Sequence, residues 1–182
     1  MSYKSILVNV GIDGPVEPIV GAAIDLAQRF GARLIGLCAA DQPTPIGFPD
    51  AGLAAAEAWQ RMHDDIEKRF GQVRETFDHL TADVVTTQWH VHLQNPTQTL
   101  VEAARMADLV VTHAPAGAFR ADSYRAADPA SVVLRTGRPL LVIGDRVEHV
   151  AARTVSVAWK DGREARRAVA DAIPFLAAAE EV

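Results

Sequence analysis

Apolar residues recur along this chain in two rhythms. Four short runs show little alternation: SILVNV (5–10), ARLIGLCAA (32–40), ADLVVTH (107–113) and PLLVIG (139–144). Such runs predict strands buried on both faces. A fifth, DVVTTQWHV (83–91), alternates as a half-exposed edge strand does. The other rhythm is helical. Ile19, Val20, Ala23, Ile24 and Ala27 share one face of a helix over 16–30, and Gly31 stands where a C-cap glycine is expected. Trp59, Met62, Ile66, Phe70, Val73, Phe77 and Leu80 follow at spacings of 3, 4, 4, 3, 4 and 3, which is one stripe of a long helix. Asn95-Pro96 reads as an N-cap with proline at the first helical position, opening a helix that buries Leu100, Val101 and Ala104. Asp128-Pro129 begins a short helix, PASVVLRTG. Residues 41–50 and 114–128 are loops by their proline, glycine and small polar content.

Strands alternating with helices predict an α/β fold with a parallel sheet and right-handed crossovers. Five strands with helices on both faces make a Rossmann-like doubly wound sheet, of expected order 3-2-1-4-5. Ligands in such sheets bind at the carboxyl ends of the strands, where the order reverses. That point falls between the first and fourth strands. The loops there are GIDGP (11–15) and HAPAGAF (113–119).

The chain also starts its plan twice. At an offset of 149, Ile6 pairs with Val155, Val8 with Val157 and Val10 with Trp159; Val20, Ala23 and Ile24 pair with Val169, Ala172 and Ile173, without a gap. A repeat at domain length implies two copies of one domain. The reading is a complete domain over 1–144, a linker over 145–153, and a partial second domain over 154–182 holding only the first strand and helix. That extra β-α unit cannot bury its own apolar face. A homodimer is therefore expected, formed through this unit or along the last strand; the alternative is that the unit folds back on its own domain as a sixth strand and covering helix.

Composition narrows the functional classes. Eighteen basic residues stand against 23 acidic ones among 182, a net charge of −5. That balance offers no footprint for nucleic acid and no attraction to anionic lipid. Cys38 is the single cysteine and lies in an apolar run, so no internal disulfide forms. The first residues lack the long apolar stretch of a signal peptide, and no run of 18 apolar residues exists. A cytoplasmic protein without membrane partners is expected.

Candidate chemistry is sparse. Arg120 and Arg125 lie in the loop after the fourth strand and could hold an anion, although solvated loop arginines are commoner. His90 and His92 share one face of a strand, a spacing that can grip a metal, but no cysteine lies near and no metal site is assigned. His113 closes the fourth strand beside the crevice. Asp64, Asp65, Glu67, Lys68 and Arg69 read as a solvated helix face with i, i+4 pairs. There is no nucleophile elbow, Walker loop, dinucleotide fingerprint or zinc signature, so no catalytic residue is assigned and an enzyme is not expected.

Together, ILVNVGIDG, NPTQTLVEAARMADLVVTH and DPASVVLRTGRPLLVIG resemble universal stress proteins in order and spacing, and VSVAWKDGREARRAVADAIPFL resembles the opening of a second such domain in tandem members. The resemblance implies a doubly wound fold, dimers, a role in stress response and, in one branch, ATP binding. That branch carries a Gly-x2-Gly-x9-Gly-Ser/Thr loop after the fourth strand, whose glycines let backbone N–H groups reach a phosphate. Here Gly117 is the only glycine of that loop, Ala114 takes the first glycine position, and Asp128-Pro129 or Pro129-Ala130 replaces Gly-Ser. Proline removes a donor and aspartate repels phosphate. The expectation is a degenerate nucleotide crevice with no resident cofactor, acting through dimerisation or partner binding. The alternative is a nucleotide-binding member, for ATP or AMP, with a rearranged loop. Its ligand-contacting residues would be Asp13, Gly14, Thr112, His113, Gly117 and Ser131. A hydrolase or transferase on the same fold is a further alternative.

Overall fold

The buried runs assemble as a parallel sheet. The computed structural model describes residues 2–43, 52–113, 122–144 and 146–182. Its strands are β1 (Ser5–Asn9), β2 (Arg33–Ala40), β3 (Thr87–Leu93), β4 (Leu109–His113) and β5 (Leu140–Ile143). Its helices are α1 (Val16–Phe30), α2 (Gly52–Thr81), α3 (Pro96–Ala103), α4 (Pro129–Thr136) and α5 (Arg163–Ala178). The sheet order is β3-β2-β1-β4-β5, as expected. Leu7 stands opposite Val110 and Val8 opposite Val111 at its centre.

Successive side chains of a strand point to opposite faces, so the sheet builds two cores. Ile6 and Val8 join Ile19 and Leu26 of α1 and Ile66 and Phe77 of α2. Leu7 turns the other way and joins Ile35, Leu37, Leu100 and Val132 under α3 and α4. Each fully buried side chain of this size is worth about 1.5–3 kcal/mol. Between β2 and α2 the packing leaves no room for a side chain. A Cβ on Gly36 would lie 2.5 Å from Trp89 Cε3 and 2.8 Å from the Phe77 ring. The amino end of the sheet is pinned by Asp108. One of its carboxylate oxygens accepts from Lys4 N at 2.9 Å, Ser5 N at 3.0 Å and Ser5 Oγ at 3.0 Å.

Two elements depart from the sequence reading. The edge strand begins at Thr87 rather than 83 and continues to Leu93. Residues 82–84 form the turn that closes α2, with Asp83 at φ 57° and Val84 N donating to Thr81 O. The apolar pair Val84-Val85 imitates the start of a strand without being one. The α2 stripe is fully buried only at Ile66, Phe70, Val73 and Phe77, and Met62 is exposed.

The C-terminal unit keeps its helix but only a trace of its strand. Residues 155–160 belong to no strand, and one bridge joins Thr154 to Glu181. α5 docks on its own chain by an aromatic trio. The Phe175 ring lies 5.7 Å from Tyr3 and 5.4 Å from Phe30, and Tyr3 stacks edge-on with Phe30 at 5.1 Å. The Tyr3 hydroxyl donates to Asp171 O at 2.6 Å.

Candidate functional site

The order of the strands puts a crevice at the carboxyl ends of β1 and β4, and two side chains tie those ends together. Asn9 Nδ2 donates to Thr112 Oγ1 at 3.1 Å, and Thr112 is buried. Past β1 the chain turns through Gly11–Gly14, where Gly14 N donates to Gly11 O. Ile12 points into the core and Asp13 points out. Asp13 and Gly14 line a shallow groove of about 190 Å³ with Arg69, Gln72 and Thr76 of α2.

Residues 122–128 lie across this end of the sheet as a strap. Tyr124 O accepts from Asp41 N just past β2 at 2.6 Å. Ser123 O accepts from Asn95 Nδ2 just past β3 at 3.4 Å. Arg125 reaches the turn past β1, donating from Nη2 to Asp13 Oδ1 at 2.9 Å and from Nε to Asp13 Oδ2. Asp128 N donates to Thr97 Oγ1 at 2.9 Å, in the first turn of α3. The strap is shaped by Asp122, whose carboxylate accepts from Tyr124 N and whose carbonyl accepts from Arg125 N and Ala126 N. That is the local hydrogen bonding that makes aspartate a turn former.

The charges under the strap are paired. Arg69 donates to Asp13 Oδ1 at 2.8 Å and to Asp65 Oδ2 at 3.0 Å, and Arg125 lies 3.5 Å from Asp65. Two guanidiniums and two carboxylates thus form one network. Hydrogen bonds from Arg125 hold the Asp13 carboxyl below the ordinary carboxylate range, against an opposing push from partial burial. The same bonds raise Arg125 above its usual value.

The other pole of the crevice, the N-terminus of α4, is also occupied from within. Asp128 caps it, accepting from Ala130 N at 3.2 Å, Ser131 N at 3.1 Å and Ser131 Oγ at 2.6 Å. A carboxylate here satisfies the orphan N–H groups and the positive end of the helix, the role an anionic ligand would otherwise take. The Ser131 bond is the chief cause of the lowered Asp128 pKa.

The residues nominated from sequence are therefore divided. Asp13 and Gly14 share the groove beside α2, Thr112 is bonded to Asn9, His113 ends β4 partly exposed, and Ser131 serves Asp128. Gly117, Ala114 and Arg120 lie outside the described residues. Arg69 and Asp65, expected on a solvated helix face, form their i, i+4 pair, but Arg69 also crosses to Asp13. His90 and His92 stack at 6.5 Å on β3, with β2 and β1 between them and His113. Among the described residues no group of three or more metal-capable side chains gathers, and no helix is long and apolar enough to cross a membrane.

No protein-family model and no curated protein matches the chain. Solved structures do. The universal stress protein UspA from Lactobacillus plantarum is similar at a TM-score of 0.51 and 20% identity, covering 79% of this chain and 99% of its own. The hypothetical protein MJ0577, the subject of a structure-based assignment of biochemical function, is similar at 0.57 and 15% identity, with 79% and 97% covered. A universal stress protein family protein from Arabidopsis thaliana with AMP bound gives 0.49 and 13%, with 84% and 96% covered, a likeness too slight to carry its ligand across. With the sheet order above, these likenesses establish a doubly wound α/β protein of the universal stress protein fold.

Proposed function

We propose that this chain is a non-enzymatic, cytoplasmic universal stress protein-like module, acting in stress response through dimerisation or partner binding. The observation that carries this reading is the strap. Residues 122–128 bond to positions just past β1, β2 and β3, and the Arg125 bond to the turn after β1 borders the switch point where doubly wound sheets take their ligands. Arg125 supplies the cation and Asp13 the anion on one side, and Asp128 fills the helix N-terminus on the other. A triphosphate entering in the manner of the ATP branch meets one carboxylate at the helix and another beneath the strap. The sequence repeat supports reading 154–182 as the opening of a second domain, and its incompletely covered helix supports a homodimer. The net charge of −5 speaks against nucleic acid.

Thermal unfolding with ATP, with AMP and without ligand tests the reading. A ligand that binds only the native state raises the midpoint, by an amount that grows with the logarithm of its concentration over Kd. No rise is expected with either nucleotide at millimolar concentration. A rise with ATP, abolished by Thr112→Val, would overturn the closed crevice and favour the nucleotide-binding alternative.

A further inference from the structure

We propose that β3 pairs antiparallel with β3 of a second copy, about a two-fold axis at Val91, joining two sheets edge to edge. This rests on the dimerisation reading above and gives it a surface, on the edge of the sheet opposite β5. β3 is paired with β2 along all seven of its residues and, among the described residues, with no strand on its outer side. An open edge of this length is commonly protected by proline or by charge. Thr87–Leu93 carries no proline and no Asp, Glu, Lys or Arg. Val91 and Leu93 are 42% and 39% exposed. With Trp89 they line a groove of about 300 Å³ beside α2, walled there by Glu67, Gly71 and Arg74.

Sequence symmetry selects a second copy over a foreign strand. Residues 88–94, QWHVHLQ, read alike in both directions by chemical class. An antiparallel pair centred on Val91 sets Gln88 opposite Gln94 of the second copy, Trp89 opposite Leu93, and His90 opposite His92. Residues directly opposite in such a pair lie on one face, close enough for their side chains to touch. Apolar side chains therefore meet on the α2 side, where they enter the two grooves. Polar ones meet on the other side, where His90 and His92 lie with their rings only 12° from parallel.

The charges on α2 complement themselves about the same axis. Glu67 and Arg74 stand about two helical turns apart, one on each side of Gly71. A two-fold turns α2 of the second copy antiparallel, so Glu67 of each copy faces Arg74 of the other. Arg74 is 61% exposed, with Asp78 at 3.3 Å on its own helix. Between the two charges a Cβ on Gly71 would meet nothing within 4 Å, which leaves the helix surface open to a close neighbour. A foreign strand could pair with β3, but it would bring no second α2 to answer these charges.

Cross-linking in the full chain tests the pairing. Opposed Cα atoms of an antiparallel pair lie about 4.5–5.5 Å apart, and a disulfide spans roughly 4.4–6.8 Å. Val91→Cys should therefore give a covalent dimer on mild oxidation. The native Cys38 is buried and takes no part. Gln88→Cys and Gln94→Cys should link through a short bis-maleimide when mixed, and neither should link alone. In the Val91→Cys background, Glu67→Arg should lower the dimer yield several-fold, and adding Arg74→Glu should restore it. A yield indifferent to these charges would overturn the pairing, since chance collision would then explain the link. So would Gln88→Cys linking to itself, which puts another residue on the axis. A parent protein that sediments as a dimer while Val91→Cys stays unlinked would overturn this contact and spare the dimerisation reading. A parent that is monomeric at every concentration would overturn both.

Discussion

Arg125 donates to both carboxylate oxygens of Asp13, a residue 112 positions earlier in the chain. The pair joins the strap over the sheet to the turn after β1, and Arg69 adds a third arm from α2. Asp13 is 43% exposed at its side chain, so solvent screens the network and its contribution to stability is about 1 kcal/mol at most. A carboxylate held below its ordinary pKa stabilises the fold above the unfolded value, near 4, and loses that contribution as pH falls through the lower folded value. Asp13→Asn should therefore weaken the protein at neutral pH, with the difference from the parent shrinking below about pH 4. Urea unfolding of both proteins at pH 7 and pH 3 measures this. An equal difference at both pH values would mean that the Asp13 charge is not what holds the strap.

Gly36 supplies the second prediction. Its neighbours are the Trp89 and Phe77 rings, 4.7 Å apart between centroids, and a methyl group would overlap both. Overpacking of this kind costs typically 1–3 kcal/mol. Gly36→Ala should lower the unfolding midpoint by that measure and displace the edge strand that carries Trp89. Tryptophan fluorescence in the folded state should shift with it. An unchanged midpoint would mean that β3 and α2 yield without penalty.

Such packing marks the border of what the sequence made legible. Strand and helix positions followed from runs such as LVN and from the α2 stripe, because burial on one face or two leaves a local period. The beginning of β3 did not, since Val84 and Val85 carry the same signal in a turn as in a strand. The Asp128 position could be read as hostile to phosphate, because caps act within three residues. The clamp could not. Nothing near Arg69 or Arg125 in the chain announces Asp13, and Arg69 forms its i, i+4 pair with Asp65 whether or not it also crosses the crevice. The strand half of the C-terminal unit carried a strand pattern, but pattern alone does not supply a neighbour to pair with.

The cap of α4 can be removed without touching the clamp. Asp128→Ala should cost about 1 kcal/mol, the usual worth of an N-cap, since three donors lose their acceptor. Asp128→Ser should restore most of it, because a hydroxyl still accepts from the second or third N–H group of the helix. Chemical denaturation of the three proteins orders them. If the alanine and serine variants are equally weak, the carboxylate does not act as a cap that a hydroxyl can replace.

The last prediction concerns what holds α5. The helix buries no residue fully, and its attachment is concentrated at Phe175, which sits among Tyr3 and Phe30. Aromatic pairs in edge-on geometry add about 0.5–1.5 kcal/mol each beyond their area. Phe175→Ala should therefore release the helix while leaving the sheet intact, because Phe175 borders the main core without being one of its buried members. The Tyr3 hydroxyl adds a pH-dependent part. Burial, and after it the nearby Asp171 charge, pushes its pKa up to about 12. A raised pKa means the neutral phenol is favoured in the fold, so this contribution is complete below about pH 10 and is lost as pH rises towards 12. Tyr3→Phe should loosen α5 at neutral pH and remove that alkaline step. Limited proteolysis reads both effects. Cleavage within residues 146–153 should accelerate in Phe175→Ala at neutral pH, and in the parent protein between pH 10 and 11, with the fragment 2–144 surviving. If Phe175→Ala is cleaved no faster than the parent, α5 is held elsewhere, and the Arg167 bond to Gly137 O at 3.1 Å becomes the contact to remove next.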